Sequence, residues 1–315
     1  MKFSTPIPLK PSAIPINYKS KVLLMGSCFS DTMGGKLGYY KFNTLNNPFG
    51  ILFHPLAIEK LISRALDGHY FTKEDLFYEN ERWNCFEVHS KCSTADQQKM
   101  LAALNMALKS LGDFLVTASH IFITPGTAWV YRHTTTGNTV ANCHKVPQKF
   151  FSKELTGIQQ VEQSLAAIAS KIKKVNPGAN MVCTVSPVRH LKDGFMENQR
   201  SKAHLIAAVH QWLEGGQNRH YFPAYEILMD ELRDYRFYAD DMVHPGEMAI
   251  NYIWEQFSNV WISPEAMPVM HEVGVIQSGL AHRPFDATSE AYRTFTENLN
   301  LKIKKLQHTH PFIHF

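Results

Sequence analysis

A chain of 315 residues that is 44% hydrophobic can bury a large core without staples, and its length permits one large α/β domain or two small ones. Its 32 basic and 28 acidic residues leave a formal net charge of +4; the cations are spread along the chain and do not form a stripe with interleaved aromatics, which argues against a nucleic-acid partner. No stretch approaches the ~18 uninterrupted apolar residues of a membrane span, and Met1 to Ile16, with four prolines, lacks the apolar run of a signal-peptide core, so a cytoplasmic protein with no membrane partner is expected.

In chain order, Lys21-Val-Leu-Leu-Met25 is apolar through its centre, as a strand covered on both faces should be. A helix is expected from Ser30 to about Gly38, capped by Ser30 or Asp31. Pro55 opens a second helix, with Leu56, Ile58, Leu61, Ile62 and Leu66 on one side. A third, around Ala95 to Leu111, leads into the strand His120-Ile-Phe-Ile-Thr124. Trp129-Val-Tyr131 and Thr139-Val-Ala141, separated by a Thr-Gly-Asn turn, read as a hairpin inserted after that strand. The clearest helical pattern runs from Lys153 to Val175, its apolar positions stepping by three and four through Leu155, Ile158, Val161, Leu165, Ile168 and Ile172. Asn176-Pro-Gly178 stops it, and Met181-Val-Cys-Thr-Val185 is the next buried strand. A helix follows from about Asn198 to Leu213, and another begins with Pro245 at its first position.

Short strands alternating with longer helices predict an α/β fold with a mostly parallel sheet covered on both faces. No repeat, low-complexity tract or linker interrupts the series, so one domain is expected over 1–264, with 265–315 as a partly helical appendage. The five cysteines are odd in number, irregularly spaced and without a CxxC pair, which suits buried thiols in a reducing compartment. Four of the sixteen histidines fall near the C-terminus, and His308-Thr-His310 lacks a neighbouring acid or cysteine to complete a metal shell.

Open parallel sheets bind ligands beyond the carboxyl ends of their strands. Here those ends carry Gly26-Ser-Cys-Phe-Ser30, Asn46-Asn-Pro-Phe-Gly50, Thr124-Pro-Gly-Thr127 and Ser186-Pro-Val-Arg-His190, with Asp241-Met-Val-His244 ahead of a later helix. Gly-Ser directly after a buried strand presents a hydroxyl at the sheet edge, with the serine N–H near a helix N-terminus. A serine needs a base, and Asp-x-x-His supplies base and orienter within one turn. Each pattern alone is common, the first as a plain turn and the second as a cap. Together, in this chain order, they make Ser27 the nucleophile, His244 the base and Asp241 its orienter. That reading expects Ser27 Oγ within ~2.6–3.2 Å of His244 Nε2. Adjacent residues diverge at such a turn, so Cys28 is expected to point into the core.

The same stretches carry a resemblance. Gly26-Ser-Cys-Phe-Ser30 resembles the signature of the GSCFA family, with Ser30 in place of its usual alanine. Asn47-Pro-Phe-Gly50, Gly126-Thr127, Asn142-Cys-His144, Thr184-Val-Ser-Pro-Val-Arg189, Ser201-Lys202, Tyr221-Phe-Pro223 and Asp241-Met-Val-His-Pro245 resemble that family's pattern in order, over roughly residues 20–260. The family is similar to the SGNH/GDSL hydrolases. The resemblance therefore implies a flavodoxin-like three-layer α/β/α sandwich and a Ser-Asp-His triad at Ser27, Asp241 and His244.

It also implies an oxyanion hole, for which Gly50 or Asn47 matches the first loop and Gly126 the second. Two residues beyond Gly126, where such enzymes carry an asparagine, stands Ala128. Either Asn47 or Asn142 substitutes, or the hole is built from backbone N–H groups of Ser27, Gly126 and Thr127. Gly50 is also a candidate substrate contact, and Asn142 and His144 are candidates for the substrate cleft, against a structural turn. Arg189 can bind an anionic group or form a salt bridge. His190 can be a substrate contact, a second base or a structural histidine. The expected reaction is hydrolysis of a small-molecule or carbohydrate ester without metal or organic cofactor. The alternatives are acyl transfer to a sugar hydroxyl and a non-catalytic ligand-binding module on the same fold.

Overall fold

The computed structural model describes residues 5–315. Its central sheet has five parallel strands: β1 (Lys21–Gly26), β2 (Asn43–Asn46), β5 (His120–Thr124), β9 (Asn180–Cys183) and β10 (Arg219–Tyr221), ordered β10-β9-β5-β1-β2. Counting sheet strands by sequence, that is the 2-1-3-4-5 order of the flavodoxin-like fold, with its switch point between β1 and β5.

Side-chain alternation along the strands divides the core. Leu23, Met25, Ile121, Ile123, Met181 and Cys183 face α2 (Pro55–Asp67), α3 (Gln97–Leu115), α4 (Ile158–Val175) and α5 (Phe195–Glu214). Val22, Leu24, Phe122 and Val182 face α1 (Cys28–Tyr39) and α7 (Glu247–Trp261) on the other side. Each of these strand residues is at least 97% buried, which is why the strands read as apolar runs with no polar face. The layers are α/β/α, as the sequence pattern led one to expect.

Several elements depart from the sequence reading. Phe151–Leu155 is not the first turn of a helix but a strand, β8, antiparallel to β6 (Trp129–His133). With β7 (Thr139–Val140) the two form a three-stranded insert between β5 and α4. A period-two alternation in 151–155 wins through this non-local pairing, and α4 starts only after Gly157, its N-cap. α1 begins two residues earlier than expected because its cap is Ser27, whose Oγ accepts from Phe29 N. Pro245 lies outside α7: it bridges to Tyr238 in extended conformation, and Gly246 caps the helix.

A β3–β4 hairpin (Phe77–Glu79, Arg82–Asn84) leads towards α3, and a short helical stretch, α6 (Ala224–Glu226), runs on into a π-helical turn at Ile227–Leu232. The C-terminal residues form α8 (Ala266–Ala281) and α9 (Glu290–Thr309), which share a small core of Val273, Ile276, Leu299, Leu306 and Ile313. That core abuts Tyr18 and Tyr40, and Gln277 Nε2 donates to Tyr39 O (2.9 Å). His310 packs its ring near Tyr18 and Phe312.

The tightest constraint at the switch point is Gly26. Its φ is +144°, and a Cβ there would stand 2.2 Å from Thr124 O on the neighbouring strand. Substituting Gly26→Ala should therefore cost more than about 2 kcal/mol of stability in urea denaturation followed by circular dichroism. A loss below ~0.5 kcal/mol, the range of unconstrained surface changes, would mean that β1 and β5 do not approach this closely.

Candidate active site

Two loops leaving the carboxyl edge of the sheet, 124–128 after β5 and 184–190 after β9, close around the end of β1. Helix α5 holds both. Its inward stripe places Asn198, Ser201 and Lys202 among Leu205, Ala208, Val209 and Trp212. Ser201 Oγ accepts from Ala128 N (2.7 Å) and lies 3.0 Å from Thr127 Oγ1. Asn198 Oδ1 accepts from His190 N (2.9 Å). Lys202 Nζ donates to Gly126 O (2.7 Å) and to Ser186 O (2.6 Å), one carbonyl from each loop. The lysine is fully enclosed, and burial pulls its pKa down to about 7.

Ser27 sits at the switch point, fully buried, its Oγ engaged by Phe29 N at 3.3 Å. Cys28, half-buried, lines the neighbouring cleft, the reverse of its expected inward orientation. Because α1 starts at Cys28, the serine turns in to cap the helix and the cysteine takes the outward position. Burial raises the Cys28 thiol pKa, so thiolate is disfavoured.

The loop ahead of α7 comes to the same edge. Asp241 Oδ2 lies 2.6 Å from His244 Nδ1, and Oδ1 accepts from the backbone N–H groups of Val243 and His244, both at 2.9 Å. The His244 backbone N–H, its ring and the Val243 N–H together hold the Asp241 carboxyl down to about 2. Arg189 ties this loop to the 184–190 loop: its N–H donates to Val243 O (3.1 Å), and its guanidinium lies over Tyr238. Among the described residues, no hydrogen bond joins Ser27 Oγ to His244.

His190 lies beside Ser27. A Cβ placed on Gly126 would be 2.9 Å from His190 Nε2 and 3.4 Å from Ser27 Cβ, so serine and imidazole both border the bare glycine. The ring is edge-on to Phe53 (5.3 Å, 84°), and its Nε2 is buried without a hydrogen-bond partner among the described residues. Burial, with the charges of Lys202 and His244 nearby, lowers its pKa to about 3. Over this group opens a cleft of about 770 Å³, walled by Phe53, Trp129, Tyr131, Val188, His190 and His244 among others.

The sequence profile of the GSCFA family matches residues 21–257, the whole stretch that builds this site. The chain belongs to the GSCFA family. The profile of the GSCFA C-terminal domain matches residues 273–315, the α8–α9 region. No curated protein matches the sequence significantly. Among solved structures, it is similar to a carbohydrate esterase family 3 protein from Talaromyces cellulolyticus, at 10% identity and TM-score 0.34 over 80% of this chain and 99% of that one. It is also similar to an acetyl xylan esterase from the rumen bacterium Butyrivibrio proteoclasticus (11%, TM-score 0.33, 78% and 65%). A third is a carbohydrate esterase family 2 enzyme with its carbohydrate binding domain from Corynascus thermopiles (Myceliophthora fergusii) (12%, TM-score 0.35, 85% and 69%).

Of the residues read from the GSCFA sequence, Asn142, Arg189, His190, Asp241 and His244 line the cleft and Ser27 lies beneath it. The expected oxyanion donors do not converge there. Asn47 Nδ2 donates to Asp31 Oδ1 (2.7 Å) while its Oδ1 accepts from Gly26 N (2.8 Å), so its amide ties β2 to β1 and α1. The N–H of Ser27 donates to Thr124 O, and those of Gly126 and Thr127 both donate to Phe53 O. Two substrate candidates are also corrected. Gly50 closes a turn onto Asn47 O, against the His89 side chain. His144 is buried, with Nε2 on the Cys85 and Val88 carbonyls.

The sequence reading gave no role to Lys202 or to His54, a buried histidine on the cleft that caps α2 and contacts Val140 O (3.1 Å). Lys202 did leave a signal: it is a charge on the stripe of α5 that carries Leu205, Ala208, Val209 and Trp212. Replacing it by Met strands two buried carbonyls and should destabilise the fold by about 1–3 kcal/mol. A lysine with a depressed folded pKa makes stability rise with pH between the folded and unfolded values. Urea denaturation should therefore show the wild type gaining stability from pH 7 to about 10, and Lys202→Met lacking that gain. Parallel pH curves for the two proteins would contradict the buried position of this amine.

Proposed function

We propose that this protein is a serine esterase acting on a small-molecule or carbohydrate ester, with Ser27 as nucleophile, His244 as base and Asp241 as its orienter. The observation that carries the reading is the 2.6 Å Asp241–His244 pair at the same sheet edge as a serine that ends β1 and caps α1. Asp241 receives Nδ1–H, which leaves Nε2 unprotonated and able to take a proton. Ser27 Oγ forms its bond to the ester carbonyl carbon as its proton passes to His244 Nε2, and the carbonyl π pair moves onto oxygen. On collapse, Nε2 returns that proton to the departing alcohol, leaving an acyl-serine that water resolves by the same two transfers. Attack requires Ser27 Oγ to exchange the Phe29 N–H for His244 Nε2. Cleft walls of Phe53, Trp129, Tyr131 and Val188 suit an apolar or sugar-ring face beside the ester.

One observation favours a second reading, a ligand-binding module: Ser27 is fully enclosed and its Oγ is already bonded. Labelling by a fluorophosphonate separates the two. The esterase reading expects the wild type to be labelled and to hydrolyse a short-chain aryl ester, Ser27→Ala to lose both, and Cys28→Ala to keep both. Labelling that survives in Ser27→Ala, or thiol-reagent inactivation relieved by Cys28→Ala, would move the nucleophile to the cysteine. Because Asp241 stays ionised down to about pH 2, the acid limb of kcat/KM should follow protonation of His244 and not of a carboxylate. A kcat/KM profile without an acid limb would remove His244 as base.

A further inference from the structure

We infer that His190 is the side-chain hydrogen-bond donor of this acyl-transfer site, its Nε2–H facing the oxygen that gains charge when Ser27 attacks. The inference rests on the esterase reading above. An oxyanion forming at Ser27 needs a donor already aimed at it, and of the groups named by sequence for that role only Asn142, which lines the cleft with its Oδ1 accepting from His144 N, has a donor that is not engaged. The N–H groups of Ser27, Gly126 and Thr127 serve Thr124 O and Phe53 O, and the Asn47 amide serves Asp31. Ala128, in the position where an asparagine would be expected, has no donor on its side chain.

His190 meets the need on geometry. Its Nε2 is buried and unpartnered among the described residues, and it borders the same bare face of Gly126 as Ser27 does. Any side chain at position 126 would fill that space. Two backbone contacts hold the loop at His190, Asn198 Oδ1 on its own N–H and Val243 O on the Arg189 N–H, and the Phe53 ring packs against the imidazole. Such bracing is what a preorganised donor requires. The charged or titratable neighbours are Lys202 from α5 and His244 from the 239–246 loop, and both oppose a positive imidazole. The ring is therefore neutral at ordinary pH, with one nitrogen protonated and one bare. A neutral ring protonated at Nε2 donates without transferring its proton.

The step balances without a proton moving to or from His190. The Ser27 Oγ–carbon bond forms, the carbonyl π pair becomes an oxygen lone pair, and Nε2–H hydrogen-bonds to that oxygen until collapse restores the carbonyl.

The test compares His190→Ala and His190→Gln with the wild type on a short-chain aryl ester, with an alkyl boronic acid as mimic of the tetrahedral state. His190→Ala should lower kcat by about 10²–10³-fold with KM within about threefold, and should weaken boronate binding far more than binding of a non-hydrolysable substrate analogue. His190→Gln, whose amide nitrogen reaches a similar place, should recover at least ~10-fold of the lost kcat. The acid limb of kcat/KM should not move in either variant. Thermal melting checks that both fold; if the alanine variant does not, the glutamine variant's boronate affinity and unshifted acid limb decide. Wild-type kcat in His190→Ala overturns the inference, a higher kcat makes the ring a plug over Ser27, and a shifted acid limb makes it a base. An inert, unlabelled wild type would instead defeat the esterase reading, and this inference with it.

Discussion

The site is organised by one buried cation. Both loops that flank Ser27 leave the sheet where backbone carbonyls have run out of ladder partners, and a buried carbonyl without a donor is costly. Lys202 answers two of them at once, Gly126 O from the β5 loop and Ser186 O from the β9 loop, with its ammonium also near the Tyr225 ring. A lysine suits the position because its head group carries three donors and no acceptor. Ser201 beside it and Asn198 one turn before it on α5 fasten Ala128 and His190. The neighbourhood of the β1 terminus is thus set from a helix that contributes no atom to the cleft surface.

A second linkage runs through Arg189. Its backbone N–H and side chain both hold the Asp241–His244 loop, through Val243 O and Met242 O. The next residue, His190, reaches under the cleft to Gly126. Consecutive residues therefore fix the two histidines relative to each other, and a shift of the 184–190 loop displaces both rings together. The two are held in different electrostatic settings: His244 has a carboxylate partner, and His190 has apolar walls and an ammonium nearby.

β1, β5, β9 and most helices were legible because their apolar spacing is local, β1 and β5 as continuous runs and α2 and α4 as stripes, whereas the short strands β2 and β10 carry no apolar run and were not read. Ser27 and Asp241-x-x-His244 were legible for the same reason, since each is a short motif whose meaning lies within one turn. What escaped depends on distant partners. Leu155 continues the helical step of α4 backwards, yet its backbone pairs with Trp129, and nothing within 151–157 announces β6. Asn47 looked like a free amide because Asp31 and Gly26, which claim it, lie at the other side of β1. The inward turn of Ser27 and outward turn of Cys28 follow from a helix start shifted by two residues, a difference too small for spacing to resolve.

The three-stranded insert has a consequence of its own. β6, β7 and β8 pair only with one another, share no ladder with the central sheet, and still supply Trp129, Tyr131 and Val140 to the far wall of the cleft. Wall and strand ends are thus written in separate stretches of the chain. The shape of this chamber can therefore change through a span of some thirty residues (129–155) while the ladder of the sheet beneath stays as it is, so that wall and floor are free to vary apart.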